Sequence, residues 1–185
     1  MEIKGVAVRS IPEFIRKKYP ENYSNWMNSL PLTTKQLFQD GIVSNKWYPV
    51  EEAAVHPTQK MGEILFDNDA KKAAWESGRY SAEMALTGVY KLYVRLSSPA
   101  HIISRASRIF SAYYNPAEIH TKNFKTKKVE VHMTKFTPPN ELIEFRIGGW
   151  IEKALELSGC DNVTVNFDKS LAKGDECTIY KINWN

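Results

Sequence analysis

The chain has 185 residues, of which 43% are hydrophobic, 25% charged and 12% aromatic, a globular composition long enough to bury a core and unlike that of a disordered chain. Two cysteines are too few for a disulfide framework. No apolar run reaches the ~20 residues of a membrane helix, and the start Met1-Glu2-Ile3-Lys4-Gly5 lacks the apolar stretch of a signal peptide, so a cytoplasmic protein is expected. Ile3 to Val8 alternates weakly and reads as a short first strand. Ser10-Ile11-Pro12-Glu13 carries the marks of a helix start: a serine N-cap, an acid three residues on and proline in the first turn. That helix is predicted to run to Tyr19, where Tyr19-Pro20 stops it. Short helical pieces are predicted at 23–29 and 33–39. Lys46-Trp47-Tyr48-Pro49-Val50 then reads as an aromatic turn into a helix broken near His56-Pro57.

The centre carries the strongest periodic signal. Asp69 is the predicted cap of one long helix whose apolar positions, Gly78, Ala82, Ala85, Leu86, Val89, Leu92, Tyr93 and Leu96, recur in steps of three and four. Ser98-Pro99 restarts the chain with an N-cap and an N1 proline. The helix that follows places Ile102, Ala106, Ile109, Phe110 and Tyr113 on one face and ends at Asn115-Pro116. The period then changes to two: Val129, Val131 and Met133 alternate with Glu130, His132 and Thr134, a half-buried strand. Thr137-Pro138 opens a helix with Ile143, Ile147, Trp150, Ile151, Ala154 and Leu155 on its buried side, and Gly148-Gly149 within it signals close packing. Val163, Val165 and Phe167 and, after the Lys173-Gly174-Asp175 turn, Tyr180, Ile182 and Trp184 make two last strands. Helices first and an antiparallel sheet later predict an α+β fold, N-terminal helices packed on a C-terminal antiparallel sheet with one long helix between its strands. It reads as a single domain over 1–185, helical over about 10–114 and strand–helix–hairpin over about 127–185.

The net charge of +4 is unevenly placed. Between His120 and Lys135, five lysines (122, 125, 127, 128 and 135) face the one acid Glu130, so the rest of the chain is formally neutral. The window reads first as a solvated loop leading into an edge strand kept soluble by lysine, and second as a patch for an anion or an acidic partner. Phe124 and Phe136 are its only interleaved aromatics, so nucleic acid is not the expected partner.

Catalytic constellations are missing from the pattern. The four histidines, His56, His101, His120 and His132, share no metal-ligand spacing with one another, with Cys160 and Cys177, or with carboxylates. There is no Gly-x-Ser-x-Gly elbow and no phosphate loop, so no metal is expected and an enzyme ranks last. Arg79, on the central helix, suits either an ion pair with a nearby acid or a clamp on an acidic ligand. Gly78, Ala82 and Ala85 would leave room along one helix face. Tyr80, Tyr113 and Trp150 would wall a mostly apolar space there, between the central helix and the C-terminal sheet; the alternative is that these aromatics are core.

Three stretches resemble known families. Glu76-Ser77-Gly78-Arg79, the Tyr93–Pro99 helix break and the paired tyrosines of Phe110 to Tyr114 resemble an uncharacterised family of myxobacterial proteins of this length. Ser170-Leu171-Ala172-Lys173-Gly174-Asp175-Glu176-Cys177 is similar to the close of the 4-vinyl reductase domain, which shares one α+β fold with the haem-nitric-oxide-binding domain and the Golgi-transport subunits. The 4-vinyl reductase pattern has cysteines near Ser170 and near Cys177, and only the second is kept, so a paired-cysteine metal or redox role is not expected. The haem-binding branch clamps the haem propionates with Tyr-x-Ser-x-Arg, which does not occur in this chain, so haem is not expected either. The resemblance implies a bacterial, non-catalytic small-molecule-binding or sensory domain of unknown ligand, with Arg79, Tyr80, Ala82, Tyr113 and Trp150 as the candidate site for an apolar molecule. The alternative is a ligand-free homodimeric scaffold associating through the small-residue helix face. No membrane is expected as a partner.

Overall fold

The computed structural model describes residues 1–86 and 98–185. The chain opens with strand β1 (Glu2–Lys4), helix α1 (Gly5–Lys18), helices α2 (Tyr23–Ser29) and α3 (Leu32–Gln39) and strand β2 (Trp47–Pro49). A π-helical turn at Glu51–Val55 runs into α4 (His56–Leu65), followed by α5 (Ala70–Leu86), α6 (Pro99–Tyr113) and β3 (Tyr114–Asn115). The last third is β4 (Glu118–Lys125), β5 (Lys128–Lys135), α7 (Glu141–Leu157), β6 (Thr164–Lys169) and β7 (Thr178–Asn183). This is an α+β fold with one long helix between the strands of its larger sheet.

That sheet is antiparallel throughout, in the order β4-β5-β7-β6. Its inner face follows the period-two reading, with Val129, Val131 and Met133 buried and paired opposite Ile182, Tyr180 and Thr178. A second sheet, β2-β1-β3, ties the N-terminus to the end of α6 through Ile3 opposite Tyr48 and Tyr114. Helix α7 is the centre of the molecule. It packs on α5 along one side, while Tyr180 of β7 donates from its hydroxyl to the Glu144 carbonyl at 3.0 Å and Phe167 of β6 stacks on Phe145 at 4.8 Å.

Two caps form as read: Asp69 accepts from the Lys72 N–H at 2.9 Å, and Ser98 from the His101 N–H at 3.3 Å. Other boundaries move. The first helix begins at Gly5, five residues before Ser10, because burying Ala7, Val8 and Ile11 on one face outweighs the local cap signal; Ser10 sits mid-helix and bonds back to the Ala7 carbonyl. His56-Pro57 does not end the helix: the π-helical turn at Glu51–Val55 passes directly into α4, of which Pro57 is the second residue. Helix α7 starts at Glu141 with Asn140 as its cap, three residues after Pro138. The lysine window is not a loop: it is the hairpin β4–β5, with the edge strand at 118–125 and the 128–135 strand lying inside the sheet. Val89, Leu92, Tyr93 and Leu96 lie outside the described residues.

Candidate functional site

The α5–α7 contact is made backbone to backbone. A Cβ on Gly78 would overlap the Arg146 carbonyl, and one on Gly149 the Trp75 carbonyl. Glycine is required there because the helices approach more closely than any side chain permits. The room expected beside Gly78 is therefore taken up by α7, which lies between the central helix and the sheet. The same contact removes that face from any partner copy, so the expected dimer surface is corrected too.

The five candidate residues fall at three places. Arg79 is held at the α5–α7 contact by Glu152 and, through two hydrogen bonds of 2.9 and 2.8 Å, by Glu156. Burial lowers the guanidinium's pKa, but the two glutamates outweigh it and the net shift is upward. Burial also raises Glu156, yet Arg79 and Lys153 hold it below the usual carboxylate range. Tyr80 points to α1, its ring 5.5 Å from that of Phe14, and Ala82 is fully buried on α5. Trp150 of α7 meets Phe110 of α6 edge to face at 5.0 Å, and Tyr113 lies half-buried in the last turn of α6, where burial pushes its hydroxyl pKa up.

Two polar residues of α7 were not legible as special. Arg146, 3% exposed, donates to Ser77, to the Ala7 carbonyl at 2.9 Å and to Ser10 Oγ at 2.8 Å. Burial lowers its pKa, and nearby Tyr114 partly offsets that. Glu144, fully buried, accepts from Ser170 Oγ at 2.5 Å, from the Thr178 hydroxyl and from the Ala172 N–H at 3.2 Å. Ser170 thus pins the β6–β7 turn to α7. Cys160 and Cys177 are both free and buried. The signal in both cases was a charged residue on the apolar face of a periodic helix, which burial confirms only once neighbours are known.

One buried side-chain polar atom in the described part lacks a hydrogen-bond partner: the indole Nε1 of Trp150, in a residue 3% exposed. Buried donors are nearly always satisfied, so an orphan marks a place where an acceptor is missing. No group of three His, Cys, Asp or Glu residues that could hold a metal occurs among the described residues. No helix among them is long and apolar enough to cross a membrane.

No family model matches the chain, and no curated protein matches it. Solved structures do. An H-NOX protein from S. oneidensis in its Fe(II)NO ligation state superposes with a TM-score of 0.75 at 10% identity over 99% of each chain. The unliganded Fe(II) H-NOX protein from K. algicida gives 0.71 at 10% identity, over 99% of this chain and 97% of that one. A third structure, described by the tuning of haem redox potential through porphyrin distortion, gives 0.62 at 12% identity over 99% of both. The fold of this chain is the H-NOX-like fold.

These neighbours overturn the expectation against haem. That expectation rested on a missing propionate motif and on histidines without a recognisable axial setting, whereas the neighbours named here include structures described by their iron ligation state and by haem redox potential. Beside Trp150 the described residues would offer such a group the ring of Phe110 and a donor awaiting an acceptor. His101, the histidine of α6, is exposed.

Proposed function

We propose that this chain is a non-catalytic, small-molecule-binding sensory domain, whose ligand sits against Trp150 where α6 meets α7. The observation that carries the reading is the agreement of fold over the full length with proteins solved in defined iron-ligation states. The orphan indole N–H supports siting the ligand there. The ligand is mostly apolar and carries an acceptor for Trp150, with Tyr113 beside it as a half-buried wall. Arg79, Tyr80 and Ala82 serve this site indirectly, by fixing α5 against α7 and α1. The narrower kinship, to the myxobacterial family or to the 4-vinyl reductase domain, belongs to this proposal as well.

Native mass spectrometry of protein purified without denaturation, beside an absorption scan after adding haemin, tests the reading. A stoichiometric adduct or a Soret band that Trp150→Phe removes, with circular dichroism unchanged, is expected. Protein that carries nothing and takes up neither haem nor any apolar probe such as a naphthalene sulfonate dye overturns it.

A further inference from the structure

We propose that the free edge of β4 is a docking strand for an acidic, extended segment of a partner protein, which adds a fifth strand to the β4-β5-β7-β6 sheet.

Among the described residues, strand β4 pairs with β5 on one side only. Its start is covered, with Ile119 buried near α6, but every residue from His120 to Lys125 is exposed. An edge of this kind presents a row of unpaired backbone N–H and C=O groups, which an extended peptide satisfies by strand addition.

Charge sets which peptide. Glu118 is engaged by Lys135 at 2.6 Å, and Glu130 by His132 and Asn123, each at 2.8 Å. Lys122, Lys125, Lys127 and Lys128 have no carboxylate partner among the described residues, so the hairpin keeps an uncompensated positive field. The same lysines repel a second copy of this edge. They therefore select against self-pairing and for an acidic strand. Phe124, 50% exposed and with its ring 6.2 Å from that of Trp184, offers an apolar anchor beside them. Nucleic acid fits less well: the hairpin has one exposed phenyl ring and no arginine, and a strand edge offers it nothing to pair with.

The probe is a capped ten-residue peptide alternating glutamate and valine, read by fluorescence anisotropy. Binding to the wild-type protein is expected, at least tenfold weaker in Lys122→Glu/Lys125→Glu/Lys128→Glu, whose exposed positions leave thermal melting unchanged. Two further arms use the unaltered protein, so they stand even if that variant fails to fold. The same peptide N-methylated at alternate residues keeps its charge and is expected to lose binding at least tenfold, and the unmethylated peptide is expected to slow hydrogen exchange of the 120–125 amides. Equal binding of the methylated peptide, unaltered exchange, or tighter binding of an oligothymidine of similar length would each overturn the proposal, the last by making the hairpin a nucleic-acid surface.

Discussion

Toward α5, helix α7 presents Gly148 and Gly149, and the two backbones touch through Gly78 and Trp75. Toward α6 it presents Trp150, a large ring packed edge-on against Phe110, whose N–H finds no partner. One side is a contact with no tolerance, and the other is closed by large side chains and leaves a polar debt. Side chains can change rotamer where backbones in contact cannot part without moving whole helices. On the proposed function a ligand is to be sought on the Trp150 side, and the glycine side is the rigid contact.

The largest effect should come from breaking the tight side. Gly78→Ala places a methyl group where the Arg146 carbonyl lies, and should cost about 3 kcal/mol, the upper end of overpacking. A urea midpoint that falls with an unchanged slope would confirm this, and a loss too small to measure would show that the helices can part.

Next in size is Glu144→Leu, which leaves the Ser170 and Thr178 hydroxyls and the Ala172 N–H without their acceptor. A loss of about 2 kcal/mol is expected, together with faster hydrogen exchange confined to the 170–178 turn. Uniformly faster exchange would instead mean that Glu144 supports the whole core.

Trp150→Phe should divide stability from binding. It removes an unsatisfied donor while trimming a buried ring, two opposing terms that leave stability within about 1 kcal/mol, yet ligand uptake should fall at least tenfold. A variant that is greatly destabilised would make Trp150 a packing residue only.

The smallest effect concerns Arg79. Because Glu156 is held below the ordinary carboxylate range in the folded protein, its pairing stabilises above that range and fades as pH falls through the lowered folded value. Both partners are partly exposed to solvent, so Arg79→Met should cost under about 1 kcal/mol at neutral pH. The gap in melting temperature between variant and parent should close in acid. A gap that widens there would reverse the assignment.

Some of this was legible residue by residue. The buried positions of α7 and the alternation of Val129, Val131 and Met133 follow from period alone, because one face of each element is apolar and the other is not. Gly148-Gly149 announced a close approach. Arg79 announced an ion pair, though its partners Glu152 and Glu156 lie more than seventy residues away, a distance at which local sequence carries no information. Strand β4 was hidden because exposed on both faces it shows no alternation to read, and lysines make it look like a loop.

By itself the sequence determined the main helices, the strands β5, β6 and β7 and the α+β class, since these are written in local periodicity, caps and turns. Only the tertiary structure decided that the room along Gly78 belongs to Arg146 and that Ser170 answers to Glu144. It also decided that one indole N–H remains without an acceptor and that the fold is one seen in iron-bearing proteins. Those are properties of pairs of surfaces brought together from distant parts of the chain, and the free energy of such contacts depends on which partner arrives, not on either residue alone.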